Sequence, residues 1–327
     1  MATYTAAEMV QAAKEAGYDR VSERLIDDWV ASGLLDRPDG GSRGRYGRAP
    51  GTWGENQVRL FLSLLEARGH TRAIPELCNV PVWLWLWWGD DYVPQRQMKK
   101  ALATWATAAK KKNDSRATQG IDQLVRTWGS TDTPWAATQR LAQTLPSMVH
   151  EGKVDEKRSR PHVASAFGRA DGEPARSTAE GDLSVDGYQR VFRAKVEAIA
   201  RLTTPLQTAF TGGKRQSPIA DDLFEWARVF YLTTRHGYDR KRPHLAEAFG
   251  PARYGDGTVD EIVTESCADV ALILGLELTG QIRVAAGSIE DPERWKAGGM
   301  RAHLTTSMSD DGIDVEIEVS GRAPLPE

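Results

Sequence analysis

The chain has 327 residues with 42 Lys/Arg against 45 Asp/Glu, a net charge of −3, which excludes a protein coated throughout in basic charge. Hydrophobic residues at 40% and charged residues at 27% allow a packed soluble core, and the length suggests two or three domains. The charge is uneven: residues 255–327 hold 15 acidic and 5 basic residues, which leaves 30 acidic and 37 basic residues before them. A basic front half fits a polyanionic partner.

In chain order, Thr5 and Glu8 stand at capping-box spacing and predict a first helix over about 6–16, stopped by Gly17. Leu25, Ile26, Trp29 and Val30 form the apolar stripe of a second helix, ended by Gly33. The stretch "DRPDGGSRGRYGRAPG" is loop, and Thr52 with Glu55 predicts a second capping box opening a third helix. The next segment, "RAIPELCNVPVWLWLWWGDDYVP", is apolar with breaking prolines. An amphipathic helix with Met98, Leu102 and Trp105 on one face follows it.

Further helices are expected from Thr133-Pro134, over "YQRVFRAKVEAIARLTTPLQTAF", from Ser217-Pro218, and from a capping pair at Thr258 and Glu261. "MRAHLTTSM" and "IDVEIEV" alternate with period two around "SDDG", a β-hairpin pattern. "RPHVASAFG" (160–168) and "RPHLAEAFG" (242–250) agree at seven of nine positions and suggest two related helical units. Pro161 and Pro243 are expected in the first turn of a helix.

The front segment combines "VSERLIDDWVASGLL", a glycine-rich basic loop, and "ENQVRLFLSLLEARGHTRAIPEL". It resembles the winged helix-turn-helix domain of the MerR superfamily and its excisionase-like relatives, over about residues 3–75. The resemblance implies a bacterial, cytoplasmic, nucleoid-associated protein that binds double-stranded DNA in transcription regulation or for a mobile element. The fold expected is mainly α: a winged helix-turn-helix at 1–75, a Trp-rich segment and basic helix at 76–128, the two related helical units at 129–298, and a β-hairpin and tail at 299–327. A homo-oligomer is expected, and a small-molecule effector is a candidate partner.

The physical chemistry points the same way. Arg20, Ser22 and Arg24 sit at the start of the second helix, where side chains reach base edges or phosphates. Arg43, Arg45, Tyr46 and Arg48 interleave with glycines in the loop, which suits a hairpin wing on the DNA backbone. Asp27 and Asp28 run against the reading, because DNA repels carboxylates. They pair with Arg20, Arg24 or Arg37, or Asp28 accepts from a cytosine amino group.

Three further groups each carry two readings. Lys99, Lys100, Lys110, Lys111 and Lys112 form a second DNA patch, or they are the solvated end of a helix. Trp83, Trp85, Trp87 and Trp88 line a ligand pocket, or they form a core seam. The second copy of the histidine-bearing repeat pairs His236 with His244, as the first pairs His150 with His162. Their spacings match no metal-ligand motif, so scaffold is preferred to a metal site.

Cys78 and Cys267 stand far apart with no zinc-ribbon spacing, as buried reduced thiols would. The N-terminus lacks a signal-peptide pattern, and "VPVWLWLWW" is too short to span a bilayer, so no membrane partner is expected. No Walker loop, dinucleotide fingerprint or nucleophile elbow occurs, so neither an enzyme nor a cofactor is expected. The competing class is a protein-interaction scaffold whose winged helix binds protein rather than DNA.

Overall fold

In the computed structural model the described residues are 2–40, 43–44, 47–48, 51–110, 135–167, 177–178, 181–182, 185–203, 219–232, 259–280, 282–284, 300–309 and 312–322. Among them the chain is mainly helical, and no helix is long and apolar enough to cross a membrane. The chain divides into two compact units, one of residues 1–108 with 258–268, the other of residues 109–257 with 269–327. The expected boundary after residue 75 falls inside the first unit.

The first unit begins with strand β1 (Thr3–Tyr4) and helix α1 (Ala6–Glu15). The Thr5–Glu8 capping box forms: the Thr5 N–H donates to Glu8 Oε2 at 2.7 Å, and the Glu8 N–H donates to Thr5 Oγ1 at 3.3 Å. The bonds from the Thr5 backbone and hydroxyl hold the Glu8 carboxyl below its ordinary value. Gly17 ends α1 at φ +93°, with its N–H on Lys14 O and the Tyr18 N–H on Ala13 O.

Helix α2 (Glu23–Ser32) stops the same way at Gly33, φ +82°. The Gly33 N–H reaches Val30 O, and the Leu34 N–H reaches Trp29 O at 2.9 Å. Ile26 and Trp29 from its apolar stripe are buried, and Trp29 meets Phe61 edge-on at 5.5 Å between ring centroids.

Strands β2 (Arg43–Gly44) and β3 (Gly47–Arg48) pair antiparallel as a hairpin, with Arg43 opposite Arg48. Strand β4 (Trp53–Gly54) returns to pair with β1. Helix α3 (Glu55–His70) follows, but the expected Thr52–Glu55 capping box does not form. Thr52 is held in a β-bridge with Asp39, with N–H···O distances of 2.8 and 2.9 Å, so the helix starts later with Gly54 as its cap. Glu55 instead pairs with Arg59.

The prolines expected to break the next segment start helices. Pro75 lies in the first turn of α4 (Ile74–Leu77) and Pro81 in that of α5 (Asn79–Trp88). Helix α6 (Gln95–Ala109) buries Met98 and Leu102 as its period requires.

The second unit packs α7 (Trp135–Glu151), α8 (Glu156–Phe167) and α9 (Val185–Leu202) together. Asp155 caps α8 by accepting from the Arg158 N–H at 3.2 Å. The cap starts the helix early, so Pro161 lies inside α8 and not at its first turn; there it removes one helix hydrogen bond. Ser159 donates to Gln189 Oε1 across the buried α8–α9 seam, flanked by the ion pairs Arg160–Asp186 and Arg193–Glu156. The second repeat copy, 242–250, lies outside the described residues, as do Ser217-Pro218 and Thr258.

Helix α10 covers 221–232 and buries Phe224 and Phe230. Helix α11 (Val259–Leu278) contributes its first ten residues to the first unit, where the Cys267 N–H donates to Asn79 Oδ1 at 2.9 Å. Strands β5 (Ser177–Thr178) and β6 (Gly181–Asp182) pair antiparallel. The C-terminal hairpin is formed by β8 (Met300–Ser309) and β9 (Gly312–Arg322) in antiparallel register. A third strand, β7 (Ile282–Val284), pairs parallel to β9, which no local sequence pattern announced.

Both cysteines are buried free thiols. Burial pushes the Cys78 thiol up to about 12. Cys78 is therefore expected to react about a thousandfold more slowly with a disulfide reagent at pH 8 than after unfolding in urea. Stopped-flow labelling of the single-cysteine variant Cys267→Ala checks this. Equal rates in the two states would show that Cys78 is open to solvent.

Candidate nucleic-acid interface

The candidate surface is built from α2, the β2–β3 hairpin and the segments joining them. Ser22 occupies the N-cap position of α2, yet its hydroxyl makes no capping bond. Arg24, Asp27, Asp28 and Ala31 are spaced i, i+3, i+4 and i+7, so they share one face, and all four are exposed. Arg20 and Glu23 are exposed beside them. Among the described residues none of the five charged groups forms an ion pair. The expected pairing of Asp27 and Asp28 with Arg20, Arg24 or Arg37 is therefore absent, although Arg24 stands one turn away from both. Three carboxylates and two guanidinium groups leave this face of α2 slightly acidic.

The hairpin differs. Its paired strands bring Arg43 opposite Arg48 and Gly44 opposite Gly47, while Arg45 and Tyr46 lie outside the described residues. The sequence 40–48 holds no acid, so the hairpin is the basic element of this surface.

Both stems of the hairpin are held by a buried polar network. Asp36, on the way in, donates its N–H to Gln57 Oε1 at 2.9 Å. Trp53, on the way out, donates its indole N–H to Asp36 O at 2.8 Å. Gln57 passes a hydrogen bond to Gln97 Oε1 at 2.9 Å, and Gln97 donates to Leu34 O at 2.8 Å. Every link is buried, so each amide must find a partner, and together they fix α2, the hairpin roots and α6 in one arrangement.

Helix α6 also meets the end of α2. Lys100 Nζ donates to Val30 O and Thr104 Oγ1 to Ser32 O, both at 2.9 Å, so two C-terminal carbonyls of α2 are capped from outside. Burial and the nearby Arg37 lower the Lys100 pKa, against the pull of Asp36. Lys100 is thus committed to α2 and does not stand in a free row of lysines. Lys99 is half-buried and has a partner of its own. Lys110 lies at the end of the described stretch, with its carbonyl 2.8 Å from His150 Nδ1. Lys111 and Lys112 lie outside the described residues.

At the first turn of α6, Arg96 reaches back 60 residues to Asp36. Its Nε lies 3.0 and 3.1 Å from the two carboxylate oxygens and its Nη2 lies 2.6 Å from Oδ2. The hydrogen bond and charge of Asp36 raise the Arg96 pKa. The carboxylate side chain is 9% exposed and the arginine side chain 66% exposed. Nothing local in the sequence signals this pair.

The four tryptophans differ in setting. Trp85 is fully buried and donates its indole N–H to Asp90 Oδ1 at 2.8 Å, the core-seam arrangement. Trp83, Trp87 and Trp88 cluster at the surface with Tyr92, at ring-centroid separations of 5.4 to 6.4 Å. Trp87 and Trp88 are 40% and 53% exposed. The Trp83 indole nitrogen is buried with no acceptor among the described residues.

Of the repeat histidines, His150 is exposed at the end of α7 and His162 lies within α8, whereas His236 and His244 lie outside the described residues. No family model matches the chain, and no curated protein or solved structure is significantly similar to it.

Proposed function

We propose that the first 75 residues or so form a winged helix-turn-helix and that the chain binds double-stranded DNA, with the hairpin arginines supplying most of the contact. The observation that carries this reading is the order helix, tight turn, helix, basic hairpin, helix. The hairpin strands pair Arg43 with Arg48, and both hairpin roots are rigidly held. Phosphate contacts give most protein–DNA affinity, and arginines on a hairpin meet phosphates without needing a basic helix. Ser22 and Arg24 lie where base edges are read, and Asp28 suits a cytosine amino group. The role that fits is a MerR-like transcriptional regulator or a mobile-element DNA-binding factor. The helical remainder would serve oligomerisation, a partner or an effector.

Titrating the intact chain into a labelled genomic duplex should give binding that weakens steeply with salt. Arg43→Ala/Arg45→Ala should remove about two units of the log–log salt slope and lower affinity some tens of fold near 0.1 M salt. An unchanged slope in the double variant would sink the hairpin-led reading.

The acidic face of α2 favours the second reading, a scaffold that presents Glu23, Asp27 and Asp28 to a basic protein surface. Asp27→Asn/Asp28→Asn in the same titration separates the two. A change in duplex affinity in either direction supports α2 against DNA, and no change supports the protein-binding face.

A further inference from the structure

We propose that Arg96 and Arg37 form a phosphodiester-binding pair at the root of the hairpin, which carries the DNA-contacting surface from α2 and the hairpin onto the first turn of α6. The inference rests on the duplex-binding reading and adds to it a site 60 residues away in sequence.

One guanidinium sets the geometry. Asp36 takes the Nε and Nη2 side of Arg96, and its carboxylate is nearly buried. A guanidinium presents five N–H donors in a planar fork. Among the described residues, the edge formed by Nη1 and the second Nη2 hydrogen is left without a partner, on a side chain that is 66% exposed. An arginine braced from behind by a buried carboxylate has little rotamer freedom left to lose when it meets an anion. That is the condition under which bidentate contact to a phosphate is strongest.

The surroundings supply the charge. Arg37 follows Asp36 directly, is exposed, and forms no ion pair among the described residues. Lys100 lies close enough to feel both Asp36 and Arg37. Arg96 also feels Asp39 beside Asp36. The hairpin strands that begin at Arg43 add further positive charge on the same connection. One carboxylate satisfies Arg96 alone, and a backbone phosphate would complete the balance for Arg37 and Arg96 together. The Asp36 backbone is itself tied to Gln57 and Trp53, so the same residue sets the hairpin root and aims the arginine.

The test is a salt titration of the full chain against a fluorescein-labelled duplex of mixed sequence, read by anisotropy from about 50 to 200 mM salt. Arg37→Gln and Arg96→Gln should each reduce the log–log slope by about 0.9, the loss of one phosphate contact. Because Arg96→Gln strands a buried carboxylate, the paired variant Asp36→Asn/Arg96→Gln removes both charges and keeps the site neutral. Its slope should stay reduced by the same amount while its unfolding midpoint recovers. If the paired variant regains the wild-type slope and affinity, Arg96 serves only to neutralise Asp36 and the proposal fails. An unaltered slope in Arg37→Gln likewise removes the pair. Those failures leave wild-type salt dependence intact, whereas a wild-type chain without salt-dependent binding overturns the duplex reading and this inference with it.

Discussion

Gly33→Ala is expected to destabilise the first unit by about 3 kcal/mol, several times the effect of Gly17→Ala. Both glycines end a helix in the left-handed region, at φ +82° and +93°. An alanine pays about 1 kcal/mol for that conformation at either site. The difference lies in what the new methyl meets. At Gly17 there is nothing within 4 Å. At Gly33 an added Cβ would stand 2.5 Å from the Ala101 amide nitrogen and 2.8 Å from the Lys100 carbonyl carbon.

These are backbone atoms of α6, so no side chain can turn aside; the helix itself must move. Moving it strains the bonds from Gln97, Lys100 and Thr104 to the end of α2. Chemical unfolding followed by tryptophan fluorescence reads this unit well, because seven of the 11 tryptophans lie in residues 1–108. Equal midpoints for Gly17→Ala and Gly33→Ala would show that α6 does not close on α2 as described. A stable Gly33→Ala with weakened duplex binding would also be informative, since α6 carries Arg96.

Gly275→Ala makes a second test with the opposite naive sign. In a helix interior, alanine is favoured over glycine by about 1 kcal/mol. On propensity alone the substitution in α11 should stabilise the protein. Yet an added methyl there would run into the carbonyl carbon and oxygen of Ala194 in α9. Two helix backbones touch at this point, and only glycine permits it. A backbone overlap of this kind costs well over 1 kcal/mol, so a net loss of about 2–4 kcal/mol is expected. Gly69→Ala, near the end of α3, supplies the contrast: it has open space and should be neutral or slightly stabilising. If Gly275→Ala unfolds no earlier than Gly69→Ala in a urea series followed by circular dichroism, the close approach of α9 and α11 is wrong.

The residues that could be read from sequence are those whose partners are near in sequence. The Thr5–Glu8 capping box, the glycine stops at 17 and 33, and the C-terminal hairpin are local codes, and local geometry decides them. Thr52 and Glu55 show the limit of such codes. The spacing is right for a capping box, but Asp39 offers Thr52 a strand partner, and the bridge wins because β4 is also paired with β1. Pro161 misleads for the same reason in reverse, since an unremarked aspartate six residues before the repeat's proline starts the helix early.

The candidate site is legible only in part. The basic hairpin shows in composition, and the exposed face of α2 follows from its period. The Gln57–Gln97 link, the Lys100 cap and the Arg96–Asp36 pair span 40 to 70 residues and leave no pattern in the string of letters. Lysines at 99, 100 and 110 look alike in sequence. Only the packing of α6 tells the capping one from the others.

Asn79 imposes a delay during synthesis. Its side chain accepts the Cys267 N–H and donates to Glu76 O, so the segment 258–268 completes a unit whose other parts end at residue 108. A ribosome adding about 5–20 residues per second needs on the order of ten seconds or more to travel between those points. During that interval the nascent first unit waits with Asn79, and the apolar surface around it, unfinished. Chaperone residence on the emerging chain should therefore persist until the α11 sequence leaves the exit tunnel, and a fragment cut after residue 110 would carry the same unfinished surface permanently.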